Sequence, residues 1–412
     1  MRVLRVFVTA ALCLAVTPAL AAPDIVARWV QYDATGAAQA RLIVDGGSCP
    51  ALSVDGAEVA TAQRAAPDAR FPYRVCTARI PAGSRSIAAL GKTLAAPAAE
   101  PGRIIVLGDT GCRVKGKTVQ ACSDPAAWPF ARLAETAASL HPDLVIHVGD
   151  YLYRETPCPA DDARCAGTPS GDNWASWRAD FFEPGENLLA AAPWVVVRGN
   201  HEDCERAGRG WTRLLAGAPY DPAVPCAENE APYQVRLAGL NLVVMDNANA
   251  SDQGAPPDLV ALYRTQFPAV AQLATGPSWV LLHRPIRGIV RVRGAVLGGN
   301  QTMLAAEPEL PASVELLVSG HIHAFEALDY GEGSPPQLVV GNGGDKLDAA
   351  PEDLTGIEVG GLVVTHGRSL PGFGFLLLTR SGSGWQGEAY DVERTLRRTC
   401  AIASRQIVCD HD

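Results

Sequence analysis

Five short apolar runs in this chain each give way, without a spacer, to a small polar motif, and this repetition constrains the fold more than any other feature. Ile104 to Leu107 leads into Gly108-Asp109-Thr110-Gly111, and Val145 to Val148 into Gly149-Asp150-Tyr151-Leu152-Tyr153. Val195 to Arg198 leads into Gly199-Asn200-His201-Glu202, Val280 to Leu282 into His283-Arg284-Pro285, and Leu316 to Ser319 into Gly320-His321-Ile322-His323. Runs this short and this rich in Val, Ile and Leu read as buried strands. In α/β folds ligands bind beyond the carboxyl ends of such strands. Glycine lets the backbone turn as a strand ends, so the following side chain projects into a shared crevice. Asp109, Asp150, Asn200, His283, His321 and His323 are therefore candidates for one site.

Carboxylate, amide and imidazole groups together suit hard or borderline cations such as iron, manganese or zinc. Six or more donors exceed the need of one tetrahedral ion. Asp150 has two oxygens and can bridge a pair, and paired ions can clamp a phosphate. A single Gly-Asp after a strand is first of all a turn; the weight lies in the ordered set of five, with Gly320-His321-Ile322-His323 the strongest member.

Between several runs lie segments that read as helices, Trp128 to Leu140 and Trp174 to Phe182, and the alternation indicates a layered α/β domain over residues 103–392. Residues 22–98 differ: short alternating stretches separated by turn formers read as a small N-terminal β-sandwich. An Ala- and Pro-rich linker follows, from Ala95 to Gly102. Residues 393–412 read as a charged tail pinned by Cys400 and Cys409.

Residues 1–21 read as a cleavable export signal: Arg2 and Arg5, an apolar run from Val6 to Val16, then Ala19-Leu20-Ala21. The run is short for a bilayer span, so no membrane anchor is expected after cleavage, and the protein is expected to be secreted or periplasmic. Cys13 falls in the signal and leaves ten of the 11 cysteines. An even number in an oxidising compartment implies disulfides. The near neighbours are Cys49 and Cys76, Cys112 and Cys122, Cys158 and Cys165, Cys204 and Cys226, and Cys400 and Cys409. With 35 basic against 44 acidic residues, the formal charge of -9 argues against a nucleic-acid-binding surface.

The ordered motifs GDTG, GDYLY, GNHE, LHRP and GHIH resemble the calcineurin-like metallophosphoesterases, and within them the purple acid phosphatases, over about residues 103–380. Many relatives begin with Asp-x-His; this chain has Asp109-Thr110-Gly111 and instead places Tyr153 three residues after Asp150. The resemblance implies a four-layer αββα sandwich and two metal ions. Asp109, Tyr153 and His323 would hold Fe(III), and Asn200, His283 and His321 would hold Fe(II), Zn(II) or Mn(II), with Asp150 between them. It also implies that a metal-bound hydroxide attacks phosphorus in line while His201 protonates the leaving group. The expected substrate is a phosphorylated small molecule or other phosphoester, with monoesters favoured. A phosphodiesterase using the same site, or a secreted binding protein on this fold, remains an alternative.

Other residues have plainer readings. His147, within Ile146-His147-Val148, reads as a satisfied core histidine. Trp174, Trp177, Phe181 and Phe182 read as helix core contacts. Asp246 and Asn342 sit in turns that border the crevice or merely shape a loop, His366 reads as solvated, and Arg284 has a side chain suited to phosphate but of undetermined direction.

Overall fold

Alternation along the central strands sets the layers. In Arg103–Leu107, Ile104 and Val106 face one side while Ile105 and Leu107 face the other, as the two-residue period of a strand requires. The computed structural model describes residues 23–306 and 309–410; the expected export signal lies outside them. Ile104 and Val106, with Ile146, Val195 and Val197, pack against Leu242, Val244, Trp279, Leu281, Leu316 and Val318 of a second sheet. Ile105, Leu107, Val145 and Trp194 pack outward against Phe130, Leu133, Trp177 and Phe181. On the far face of the second sheet, Val243, Val280 and Leu317 meet Tyr263, Phe267 and Met303. The result is helix, sheet, sheet, helix.

One sheet has 11 strands and the other seven. In the first, Arg103–Leu107, Leu144–His147 and Trp194–Val196 run parallel at the centre. In the second, Leu240–Val244, Ser278–Leu281, Val314–Ser319 and Gln337–Val340 do the same. All five motif-bearing runs are thus parallel central strands of two facing sheets, which brings their carboxyl ends to one rim. The expected helices occur as Phe130–Ala138 and as Trp174–Trp177 continued by a wider turn, Arg178–Phe182.

Residues 24–94 build two sheets around an apolar core of Ile25, Val30, Leu42, Val44, Leu52, Val54 and Ile87. One is a small four-stranded sheet. The other continues the 11-stranded sheet, because Asp24–Tyr32 pairs beside Trp194–Val196 at Gln31 and Trp194. Two arginines reinforce this junction. Buried Arg41 donates to the carbonyls of Leu214 and Ala216, and Arg64 to those of Thr212, Arg213 and Ala218. The carbonyls of Thr212, Arg213 and Leu214 end the helix Gly208–Leu214, where intrahelical partners run out, and those of Ala216 and Ala218 follow it. Residues 396–409 form an edge hairpin of the same sheet. All ten described cysteines pair as close neighbours: Cys49–Cys76, Cys112–Cys122, Cys158–Cys165, Cys204–Cys226 and Cys400–Cys409.

Candidate metal centre

The strand-end turns carry local strain. Asp109, Asp150 and His321 have φ of 57°, 60° and 69°, a left-handed conformation that costs a non-glycine residue about 1–3 kcal/mol. At Asp109 and His321 the left-handed residue is the one expected to face the site, not the glycine before it. Gly199 instead supplies room: a Cβ there would lie 2.1 Å from both the amide nitrogen and Oδ1 of Asp150. Hydrogen bonds over-determine the strained loops. Asp109 N–H donates to Gly149 O at 2.9 Å, and Thr110 N–H to Asp150 O at 3.1 Å. The buried Glu202 carboxylate accepts from the amides of Asp150, Tyr151, Leu152 and Gly199 at 2.9–3.2 Å.

The structure brings all seven expected donors together in two groups that share Asp150. Asp109, Asp150 and His323 place one ligand atom each within 4.8 Å of the others, and so do Asp150, His283 and His321. Tyr153 belongs to the first group: its Oη is 3.0 Å from Asp109 Oδ1, 2.7 Å from Asp150 Oδ2 and 3.0 Å from His323 Nε2. Tyr151 points elsewhere and donates to Val197 O at 3.0 Å. Asn200 belongs to the second group, its Oδ1 3.0 Å from His283 Nε2, which is also 3.3 Å from Asp150 Oδ2.

The donor chemistry fits cations. The Tyr153 phenol has one proton for three acceptors. His283 Nδ1 faces Val148 O at 2.8 Å and His323 Nδ1 faces Lys346 O at 2.7 Å. A carbonyl only accepts, so each Nδ1 carries a proton and each Nε2 is turned toward oxygen atoms of its group. Around His323, burial acts most strongly and lowers the pKa, but Asp345 and Asp109 together outweigh it and push it up to about 10. Burial raises the Asp109 carboxyl. For Asp150 burial also favours the neutral acid, yet His283 and His201 prevail and hold it well below the usual carboxylate range. The Tyr153 phenol is pushed well above its ordinary value by burial, then by Asp109 and Asp150. So many buried acceptors around shared points draw positive charge, and a pair of metal ions supplies it without the directional limits of protons.

The centre opens into a cavity of about 400 Å³ lined in part by Arg113, His201, His321, His323 and Lys346. His201 Nδ1 lies 2.8 Å from Glu155 Oε1, and its Nε2 lies 3.8 Å from Asp150 Oδ2. Burial, the largest influence, lowers the His201 pKa. Arg113 stacks over Tyr153 at 4.8 Å and donates from Nε to Asp345 Oδ2 at 2.9 Å.

Several supporting residues escaped the sequence reading. Asp180, read only as part of a helix, accepts from the Tyr153 amide at 2.8 Å and the Cys112 amide at 3.1 Å. Asn247 Oδ1 accepts from the amides of His283 and Arg284, both at 3.0 Å. Glu202, by contrast, lies within the Gly199-Asn200-His201-Glu202 motif. His147 is held by Thr110 Oγ1 at 3.0 Å and stacks on Tyr151. The four aromatic residues from Trp174 to Phe182 are core. Asp246 accepts from the amides of Ala248 and Glu230, and Asn342 donates to Gly372 O; both shape loops. His366 is exposed on an edge strand. Arg284 turns to Asp252 and to the Ala248 carbonyl.

The whole fold is similar to that of a purple acid phosphatase from yellow lupin (Lupinus luteus) seeds. The TM-score is 0.58 at 15% identity, over 92% of this chain and 74% of that one. It is also similar to PhoD, with a TM-score of 0.52 at 11% identity over 93% of this chain and 91% of that one. At such identities the likeness is one of fold. Among curated proteins none matches. Residues 102–325 match the model of the calcineurin-like phosphoesterases, a segment containing every strand end that contributes to the centre, and the chain belongs to that family.

Proposed function

We propose that this protein is an exported binuclear metal-dependent phosphatase that hydrolyses phosphate monoesters. One observation carries the reading: Asp150 is common to both donor groups, and a carboxylate with two oxygens is the natural bridge between two ions. Asp109, Tyr153 and His323 would hold the first ion, with Fe(III) favoured by the phenol, and Asn200, His283 and His321 the second, as Fe(II), Zn(II) or Mn(II). Such a pair supplies Lewis acidity toward phosphate and acidifies water.

The remaining chemistry belongs to the chain. Arg113 and Lys346 give the cleft positive charge to receive a dianionic phosphoryl group. Glu155 engages Nδ1 of His201, which leaves Nε2 toward the cleft, where it delivers a proton to the departing alcohol. The strained, over-determined strand ends keep the acceptors fixed, so little reorganisation accompanies binding. Export is supported by the leader-like first 21 residues and by five disulfides, which persist in oxidising compartments.

The test combines elemental analysis with two substrates. Purified protein should contain two equivalents of transition metal and cleave p-nitrophenyl phosphate faster than bis-(p-nitrophenyl) phosphate. Preference for the bis ester would replace the monoesterase by a diesterase. A folded, metal-loaded protein that cleaves neither would leave a binding protein. Full activity without visible absorbance would remove the iron–tyrosinate assignment.

A further inference from the structure

Three of the expected metal donors are histidines, and they are oriented in two different ways. His283 and His323 each present Nδ1 to a backbone carbonyl, which fixes the tautomer by fold alone. His321 has no such partner among the described residues. Its Nε2 lies 2.9 Å from Asp252 Oδ2 and 2.8 Å from Arg284 Nη1.

Both contacts cannot be hydrogen bonds at once for a neutral ring. A guanidinium only donates and a carboxylate only accepts, so the choice between them decides which nitrogen of His321 carries the proton. If Nε2 accepted from Arg284, Nδ1 would hold the proton and have no lone pair for a metal. If Nε2 donates to Asp252, Nδ1 is free to bind.

The surroundings favour the second arrangement. Arg284 and His321 converge on the same oxygen, since Arg284 Nη1 also pairs with Asp252 Oδ2 while its Nε donates to Ala248 O at 3.0 Å, and a carboxylate oxygen can accept from both. The Asp252 carboxylate is anchored on its other oxygen, where Asn300 Nδ2 donates to Oδ1 at 2.7 Å. Asn300 is itself buried and caps the helix Gln301–Ala305 by accepting from the Met303 amide at 2.9 Å. A rigid chain of contacts therefore sets a carboxylate in front of His321.

The geometry points to Asp252 as the positioning residue of the second metal site: it holds His321 in the tautomer whose Nδ1 can bind the ion shared with Asp150 and His283. This rests on the proposed metal centre and adds to it a residue outside every strand-end motif. A carboxylate on the far nitrogen also raises the basicity of a ligating imidazole, and removing such a partner costs about 10–100-fold in metal affinity. At the first site His323 Nδ1 meets the Lys346 carbonyl at 2.7 Å as well as Asp345 Oδ2 at 3.4 Å, so a main-chain acceptor that no side-chain substitution removes still holds its tautomer.

Metal content after dialysis of the purified protein against graded EDTA tests the assignment, with thermal melting measured alongside. Wild-type protein should hold two equivalents. Asp252→Ala should release one of them at about 10–100-fold lower EDTA, keep the other as firmly as wild type, and melt as a folded protein. Asp252→Asn, whose amide oxygen still accepts from Nε2, should fall between the two. Arg284→Met, which removes the ion pair and leaves the carboxylate, should stay near wild type. The inference is overturned if Asp252→Ala retains both equivalents like wild type, loses both together, or is matched by Arg284→Met. Wild-type protein that takes up no metal would instead overturn the proposed centre, and this inference with it.

Discussion

The two halves of the centre share Asp150 but are built to different standards of enclosure. On one side Asp109 and Tyr153 are fully buried, His323 is 7% exposed, and Arg113 covers the Tyr153 ring with Asp345 behind it. The amide of Tyr153 is fixed by Asp180, and the ring of His323 by the Lys346 carbonyl. On the other side the His321 side chain is 21% exposed and leans on Asp252, 40% exposed. The fold itself makes the first half and also buries His283 and Asn200 of the second, whereas His321 depends on a surface loop. An ion in the first half should exchange slowly, and one in the second should be the ion that solvent and substrate reach.

Removing the shared residue tests whether the halves are one centre. Asp150→Ala should lose both metal equivalents and all measurable phosphatase activity. Loss of only one equivalent would show that the groups are independent. His201→Ala comes next. It should leave both metals in place and lower kcat by about 10²–10⁴-fold, with less effect on an ester whose leaving group needs no proton. An unchanged kcat on an alkyl phosphate would restrict His201 to a structural role. Gly199→Ala probes the shared residue more gently, because the new methyl group would sit against the amide and Oδ1 of Asp150. It should weaken both ions together, measured by EDTA titration; weakening of one alone would show that Asp150 serves only one half. The smallest effect is expected for Glu202→Gln, which replaces a four-fold amide acceptor with a weaker one. A stability loss of about 1–3 kcal/mol, with metal stoichiometry retained, would place Glu202 among the supports rather than the ligands.

Much of the centre was legible because its donors sit at strand ends, where a two-residue period stops and, at four of the five, a glycine intervenes. That signal located Asp109, Asp150, Asn200, His283, His321 and His323. Tyr153 came from resemblance, and its Oη meets the first donor group while Tyr151 turns into the core. What the sequence did not reveal acts through the backbone or across long separations. Asp180 and Glu202 are acceptors for main-chain amides, the partner of His323 is a carbonyl, and Asp252 reaches His321 across 69 positions. None of these contacts leaves a local pattern. The role given to glycine was also incomplete. At Asp109 and His321 the strained conformation falls on the donor residue itself, and Gly199 serves by leaving space. The N-terminal strands share the same difficulty: alternation marked Asp24–Tyr32 as a strand, but nothing local showed that it would extend the central sheet beside Trp194.

Whether a pair of cations shares Asp150 can be seen by anomalous diffraction from crystals of the metal-loaded protein. Two peaks roughly 3.5–4 Å apart are expected, one beside Asp109, Tyr153 and His323, the other beside Asn200, His283 and His321. A single peak, or peaks that avoid Asp150, would mean that no such pair exists.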